Sequence, residues 1–115
     1  MDIVIFRHGQ TDWNVEGRLQ GSTNIPLNEL GLSQAESLAL RLSKFQFDLI
    51  ISSDLDRAMD TAKSLLAHQS CKIEADIRLR EIGLGDAEGL TIVEVKRKYN
   101  IENFRDFNFP GREDT

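Results

Sequence analysis

A chain of 115 residues with 40% apolar and 29% charged side chains has the composition of one soluble globular domain, able to bury roughly two-thirds of its unfolded surface. A formal charge of −5 with no basic run longer than three residues argues against the clustered Lys and Arg on which nucleic-acid binding rests, so no nucleic-acid partner is expected. No stretch reaches the ~18 apolar residues of a membrane span, the N-terminus is too short and too acidic for a signal peptide, and the single Cys71 allows no internal disulfide. A cytoplasmic protein away from membranes is therefore expected.

In chain order, Ile3-Val4-Ile5-Phe6 is a continuous β-branched and aromatic run, which predicts a strand covered on both faces in a parallel sheet. Leu30, Ala35, Leu38, Ala39 and Leu42 recur at helical spacing and predict a helix over about 30–44, with Ser33 and Glu36 as its capping box. Leu49-Ile50-Ile51 repeats the buried-strand pattern. Leu55, Ala58, Ala62 and Leu65 then mark a second helix, with Ser53-Asp54 placed to cap it. Lys72-Ile73-Glu74-Ala75 reads as a short strand, and Thr91 with Glu94 opens a helix that runs to about Tyr99. Strands alternating with helices predict an α/β protein: a three-layer α/β/α sandwich with a mainly parallel sheet, whose ligands sit beyond the strands' C-terminal ends.

Three segments bring chemistry to that edge. Arg7 and His8 follow the first strand, and Gly9 with Gln10, Thr11, Asp12 and Asn14 forms a polar loop suited to wrapping backbone N–H groups around an anion. Arg57 falls in the first turn of the second helix, where a cation opposes the helix dipole unless an anion binds there. The alternative is a surface pair with Asp54 or Asp60. Glu81, in Leu79-Arg80-Glu81-Ile82-Gly83, follows the third strand, and its alternative is an ordinary exposed salt-bridge partner.

Taken together, Arg7-His8-Gly9-Gln10-Thr11-Asp12-Trp13-Asn14, Gly17-Arg18-Leu19-Gln20-Gly21, Pro26-Leu27, the run from Ser52 to Ala62, and Leu79-Arg80-Glu81-Ile82-Gly83 with Glu88-Gly89 resemble the histidine phosphatase (phosphoglycerate mutase-like) superfamily in order and spacing. The resemblance implies that His8 is the phosphate-accepting nucleophile and Glu81 the proton donor. It further implies that Arg7, Arg57, Asn14, Gln20 and Gly21 bind the phosphate, with no metal or cofactor. The chemistry is consistent: neutral imidazole is a competent nucleophile near neutral pH, two guanidiniums spread over phosphoryl oxygens, and a carboxyl group of raised pKa protonates the leaving oxygen. The sequence departs from the family at Asn24, where an Asp is common. It also has no His-Gly pair after a late apolar strand. His68 is followed by Gln69 and reads as a surface residue, and Pro110-Gly111-Arg112-Glu113-Asp114 resembles the turn that precedes the missing pair. The resemblance thus implies a domain that stops before its second histidine and exposes a strand edge, so either self-association as a homo-oligomer or a stability well below that of the longer domain is expected.

Other site chemistries fail on spacing. His68 and Cys71 are too few for zinc, Asp54-Leu55-Asp56 lacks the glycine and glutamate of a calcium loop, and Gly83-Leu84-Gly85 lacks the third glycine of a dinucleotide fingerprint. Within the family the segment from Glu81 to Gly89 resembles the phosphatase branch, near the α-ribazole phosphatases and the broad phosphomonoesterases. A small phosphorylated metabolite, or inorganic phosphate, is the expected ligand. Mutase-type phosphoryl transfer and a non-catalytic phosphate-binding domain stay open as alternatives.

Overall fold

The computed structural model describes residues 2–100. In chain order the elements are helix α1 (Asp12–Glu16), helix α2 (Glu29–Leu42), strand β1 (Leu49–Ser52), helix α3 (Asp56–Leu66), strand β2 (Lys72–Ala75), single 3-10 turns at Ile77–Leu79 and Gly85–Ala87, and helix α4 (Ile92–Tyr99). The turn-forming sequence at Pro110-Gly111 lies outside the described residues.

β1 and β2 pair in parallel with Ile50 opposite Ile73, and α3 is the crossover between them, a βαβ unit as the alternation of elements requires. α3 lies against both strands and against α2. Small residues make that approach close: Ala39 of α2 and Ala62 of α3 are buried with Ile50 and Leu65, and Phe6, Leu42 and Ile73 pack around them. Leu65, 1% exposed, contributes about 1.5–3 kcal/mol by its burial. A second cluster forms where Ala87 meets Val95 of α4, flanked by Leu19, Leu84 and Leu90.

Five local features differ from the sequence expectation. Residues 3–6 form no strand, and Ile3 and Ile5 are 76% and 90% exposed. A β-branched run becomes a strand only when a neighbouring ladder takes its N–H and C=O groups, and among the described residues β1 pairs with β2 alone. β1 itself is covered on one face: Ile50 and Ser52 are buried while Leu49 and Ile51 are half-exposed. α2 starts earlier than Ser33 because Asn28, in an extended conformation, accepts the Gly31 N–H (2.8 Å) and so caps the helix. Ser33 and Glu36 lie inside it. α3 has no side-chain cap, since its N-cap residue is Leu55, and Ser53 Oγ accepts the Leu55 N–H (3.1 Å) ahead of the helix. The Thr91–Glu94 capping box and the end of α4 at Tyr99 match the expectation. α1, within a segment that reads as loop, is built by a second capping box between Thr11 and Asn14 and closed by Gly17 at φ 69°. No helix among the described residues is long and apolar enough to cross a membrane.

Candidate active site

The loop after Phe6 is held from three sides. Gly9 N–H donates to Thr61 Oγ1 of α3 (3.0 Å), Gln10 N–H to Gln34 Oε1 of α2 (2.9 Å), and Thr11 N–H to Asn14 Oδ1 of α1 (3.0 Å). The backbone also touches α2 so closely that a Cβ on Gly9 would sit 2.3 Å from the Gly31 carbonyl oxygen, which explains glycine at both positions. These bonds correct the expectation that the loop wraps its N–H groups around an anion. Three successive donors are spent inside the protein, and they hold His8 in place instead.

His8 Nδ1 lies 2.6 Å from the Gly9 carbonyl oxygen, which can only accept, so Nδ1 carries a hydrogen and donates it. Nε2 therefore faces outward, 3.2 Å from Glu81 Oε1. A hydrogen bond at that contact needs one proton shared between the imidazole and the carboxyl. With Nδ1 already protonated, the pair is either imidazolium with carboxylate or neutral imidazole with carboxylic acid.

Arg57 closes the group. Its guanidinium lies 3.6 Å from Glu81 Oε1 and donates to the carbonyl oxygens of Thr23 (2.5 Å) and Gly21 (2.7 Å). The side chain is 0% exposed, so the surface pair with Asp54 or Asp60 is not formed; Asp54 instead takes Arg80 through two contacts of 2.7 and 2.6 Å. Burial of a cation is tolerated because two carbonyls and a carboxylate face it. Arg57 Nε, buried, has no hydrogen-bond partner among the described residues, a donor whose desolvation costs about 1–3 kcal/mol unless an acceptor meets it.

The Arg80–Asp54 pair joins the segment carrying Glu81 to the loop before α3, and Arg80 draws the Asp54 carboxyl below its ordinary range. Glu81 is also lowered, first by the hydrogen bond with His8, with burial opposing and the charge of Arg57 adding to the effect. The sequence expectation was a raised value. The cause of the difference is that Glu81 faces a hydrogen-bonding imidazole and a buried guanidinium rather than an apolar wall.

The remaining residues singled out from sequence are distributed unevenly. Arg7 is exposed and makes no hydrogen bond or ion pair among the described residues. Asn14 Oδ1 is occupied by Thr11. Gln20 is buried and accepts from Thr11 Oγ1 (2.5 Å), and Gly21 contributes its carbonyl to Arg57. His68 is exposed beyond the C-terminus of α3, and no cluster of three or more metal-ligating side chains exists among the described residues. Thr61 and Gln34, which pin the loop, carry no function in the sequence reading. Thr61 stands four residues after Arg57 and so on the same helix face, a spacing that would have found it.

His8, Arg57 and Glu81, which lie together here, stand in three of the segments that carry the sequence resemblance, and a family model covers nearly the whole chain. The model for histidine phosphatase superfamily (branch 1) matches residues 3–114. The chain belongs to the histidine phosphatase superfamily. Glucosyl-3-phosphoglycerate phosphatase of Mycobacterium tuberculosis is 48% identical over 93 residues, covering 81% of this chain and 42% of the relative. Probable phosphoglycerate mutase GpmB of Proteus mirabilis is 35% identical, with 98% and 55% covered. Among solved structures, the mycobacterial glucosyl-3-phosphoglycerate phosphatase in complex with VO3 superposes with a TM-score of 0.76 at 47% identity, over 79% of this chain and 45% of that one. The chain thus spans about half the length of the curated relatives it matches, and its α/β fold with a small parallel sheet is the fold of this superfamily's phosphatases.

Proposed function

We propose that the protein hydrolyses phosphomonoesters of small metabolites through a phosphohistidine at His8 Nε2. The observation that carries this reading is the His8 Nε2–Glu81 Oε1 contact beside buried Arg57. When a phosphate ester enters, its charge favours placing the shared proton on Glu81, which frees the Nε2 lone pair. Nε2 then bonds to phosphorus, the bond from phosphorus to the leaving oxygen breaks, and the Glu81 proton passes to that oxygen. Water next attacks the phosphohistidine while the Glu81 carboxylate takes its proton, phosphate leaves, and Nε2 regains its lone pair. Glu81 is 51% exposed, so water can reach the carboxylate that takes its proton.

Arg57 and the exposed Arg7 would hold the phosphoryl oxygens, with the amide of Asn14 beside them, and in this scheme they supply the positive charge that metal ions supply elsewhere. The vanadate in the mycobacterial phosphatase supports a phosphoryl-shaped site in this fold. Similarity to that enzyme favours a phosphorylated sugar-acid ester over α-ribazole phosphate, and a comparison of kcat/KM on the two substrates decides between them. A cytoplasmic setting is part of this proposal. The central test is to trap acid-labile, base-stable phosphoprotein. It is expected from the wild type and absent from His8→Ala, and its persistence in that variant would reject His8 as the nucleophile.

A further inference from the structure

The contacts around Arg57 extend one layer further than the reacting groups. Both carbonyls that receive its guanidinium belong to the turn at residues 21–23, in which Gly21 adopts φ 53° and Thr23 N–H returns to the Gln20 carbonyl (2.9 Å). Gly21 is buried and Ser22 and Thr23 are half-buried, and the turn is gripped from the other side by one side chain. Glu88 accepts from the Ser22 N–H (3.3 Å), from the Thr23 hydroxyl, and from the Leu84 N–H (2.8 Å), so one carboxylate ties the turn to its own segment. A Cβ on Gly21 would lie 2.5 Å from Glu88 Oε2, which shows how closely the carboxylate fits beneath the turn. The segment carrying Glu88 is itself fixed. Leu19 and residues 89–90 exchange backbone hydrogen bonds (2.8 and 2.9 Å), and Arg18 Nη1 donates to the Gly89 carbonyl (2.7 Å).

We propose that Glu88 is a positioning residue for the phosphoryl site: by holding the Gly21 and Thr23 carbonyls it sets the guanidinium of Arg57 against Glu81 and His8. The inference rests on the reading above that Arg57 holds the phosphoryl group. A buried guanidinium on a long, rotatable stem finds its orientation from the acceptors around it, and those acceptors are backbone atoms that cannot be adjusted by their own side chains. Glu88 is the group that fixes them. A carboxylate suits this place because three donors converge on it; glutamine would keep its one oxygen on the Ser22 and Leu84 N–H groups and turn its NH2 toward the Thr23 hydroxyl, so that three charge-assisted bonds become weaker neutral ones.

Vanadate affinity of the full chain tests this without relying on turnover. Glu88→Gln should weaken vanadate binding roughly tenfold, the size typical of outer-layer supports, with a melting temperature near that of the wild type. Arg57→Ala should weaken it further, and the double variant should be no weaker than Arg57→Ala alone, because Glu88 acts only through Arg57. Unchanged affinity in Glu88→Gln, or losses that multiply in the double variant, would overturn the inference while leaving the phosphoryl site intact. Arg57→Ala binding vanadate as tightly as wild type would overturn the reading of Arg57, and the inference with it. Should Glu88→Gln melt early, Thr23→Val replaces it. This variant removes the hydroxyl bond and keeps the carbonyl, and the same direction of change with the same lack of additivity is expected; unchanged affinity overturns the proposal.

Discussion

Residues 3–6 and residues 8–11 are neighbours in the chain and meet opposite fates. The first run is apolar, yet Ile3, Val4 and Ile5 end up exposed, Ile5 at 90%, and only Phe6 reaches the core, whereas the second is polar and includes Thr11 at 0%. Hydrophobicity favours burial in both cases only where the backbone also finds partners. Thr61, Gln34 and Asn14 supply acceptors to three successive N–H groups of the second run, and no ladder among the described residues supplies them to the first. A pinned loop following a loosely held one is a workable design for a nucleophile, since the geometry of His8 then depends on the helices behind it.

The largest effect expected from breaking the pinned side is at Arg57. Arg57→Ala should lower kcat/KM for p-nitrophenyl phosphate by about 10²–10³-fold, the size seen when one donor to a developing charge is lost. Arg57→Lys should recover only part of it, because an ammonium cannot reach the Gly21 and Thr23 carbonyls and a phosphoryl oxygen with one planar fork. Full recovery with lysine would show that only charge matters at this position.

In the proposed mechanism Glu81 links the loop to the proton chemistry. Glu81→Gln should slow alkyl phosphates far more than p-nitrophenyl phosphate, whose phenolate leaves with little protonation, and equal losses would make Glu81 structural. Its folded carboxyl is held below the ordinary value of 4.5, chiefly by His8. The stability this contributes is present above about pH 4.5 and is lost as pH falls through the lower folded value. Asp54 and Asp76, held low by Arg80 and Arg78, titrate in the same acid window. The Glu81 part is therefore read as the difference in denaturation free energy between wild type and Glu81→Gln. That difference should shrink on acidification below pH 4.5, and a constant difference would contradict the His8–Glu81 pairing.

A smaller effect is expected at the pin itself. Thr61→Val keeps the shape but leaves the buried Gly9 N–H without an acceptor, at a cost of about 1–3 kcal/mol in urea denaturation, accompanied by reduced turnover. The unpinned side gives the smallest change in stability. Ile5→Lys should alter it by no more than about 0.5 kcal/mol, since the side chain is nearly fully exposed, yet sedimentation should show less self-association than wild type at equal concentration. A large loss of stability would mean that residues 3–6 are packed in solution.

Local physics made much of this protein legible in its sequence. α4 could be placed from Thr91 and Glu94 because a capping box involves residues three apart, and α2, α3 and β2 followed from periodicity within a dozen residues. The nearness of His8, Arg57 and Glu81 was legible for a different reason: the sequence pattern sets each after an apolar, strand-like run or at a helix start, where ligands gather at one edge of an α/β sheet. The tertiary structure decided what depends on distant partners. Whether residues 3–6 form a strand is set by the ladder available to them. Arg57 is buried rather than surface-paired because carbonyls 34 and 36 residues away receive it, leaving Asp54 to Arg80. The pKa of Glu81 falls because a residue 73 positions earlier donates to it. Propensity and periodicity act over one or two turns of chain, while desolvation and charge act through space, and the direction of a pKa shift belongs to the second kind.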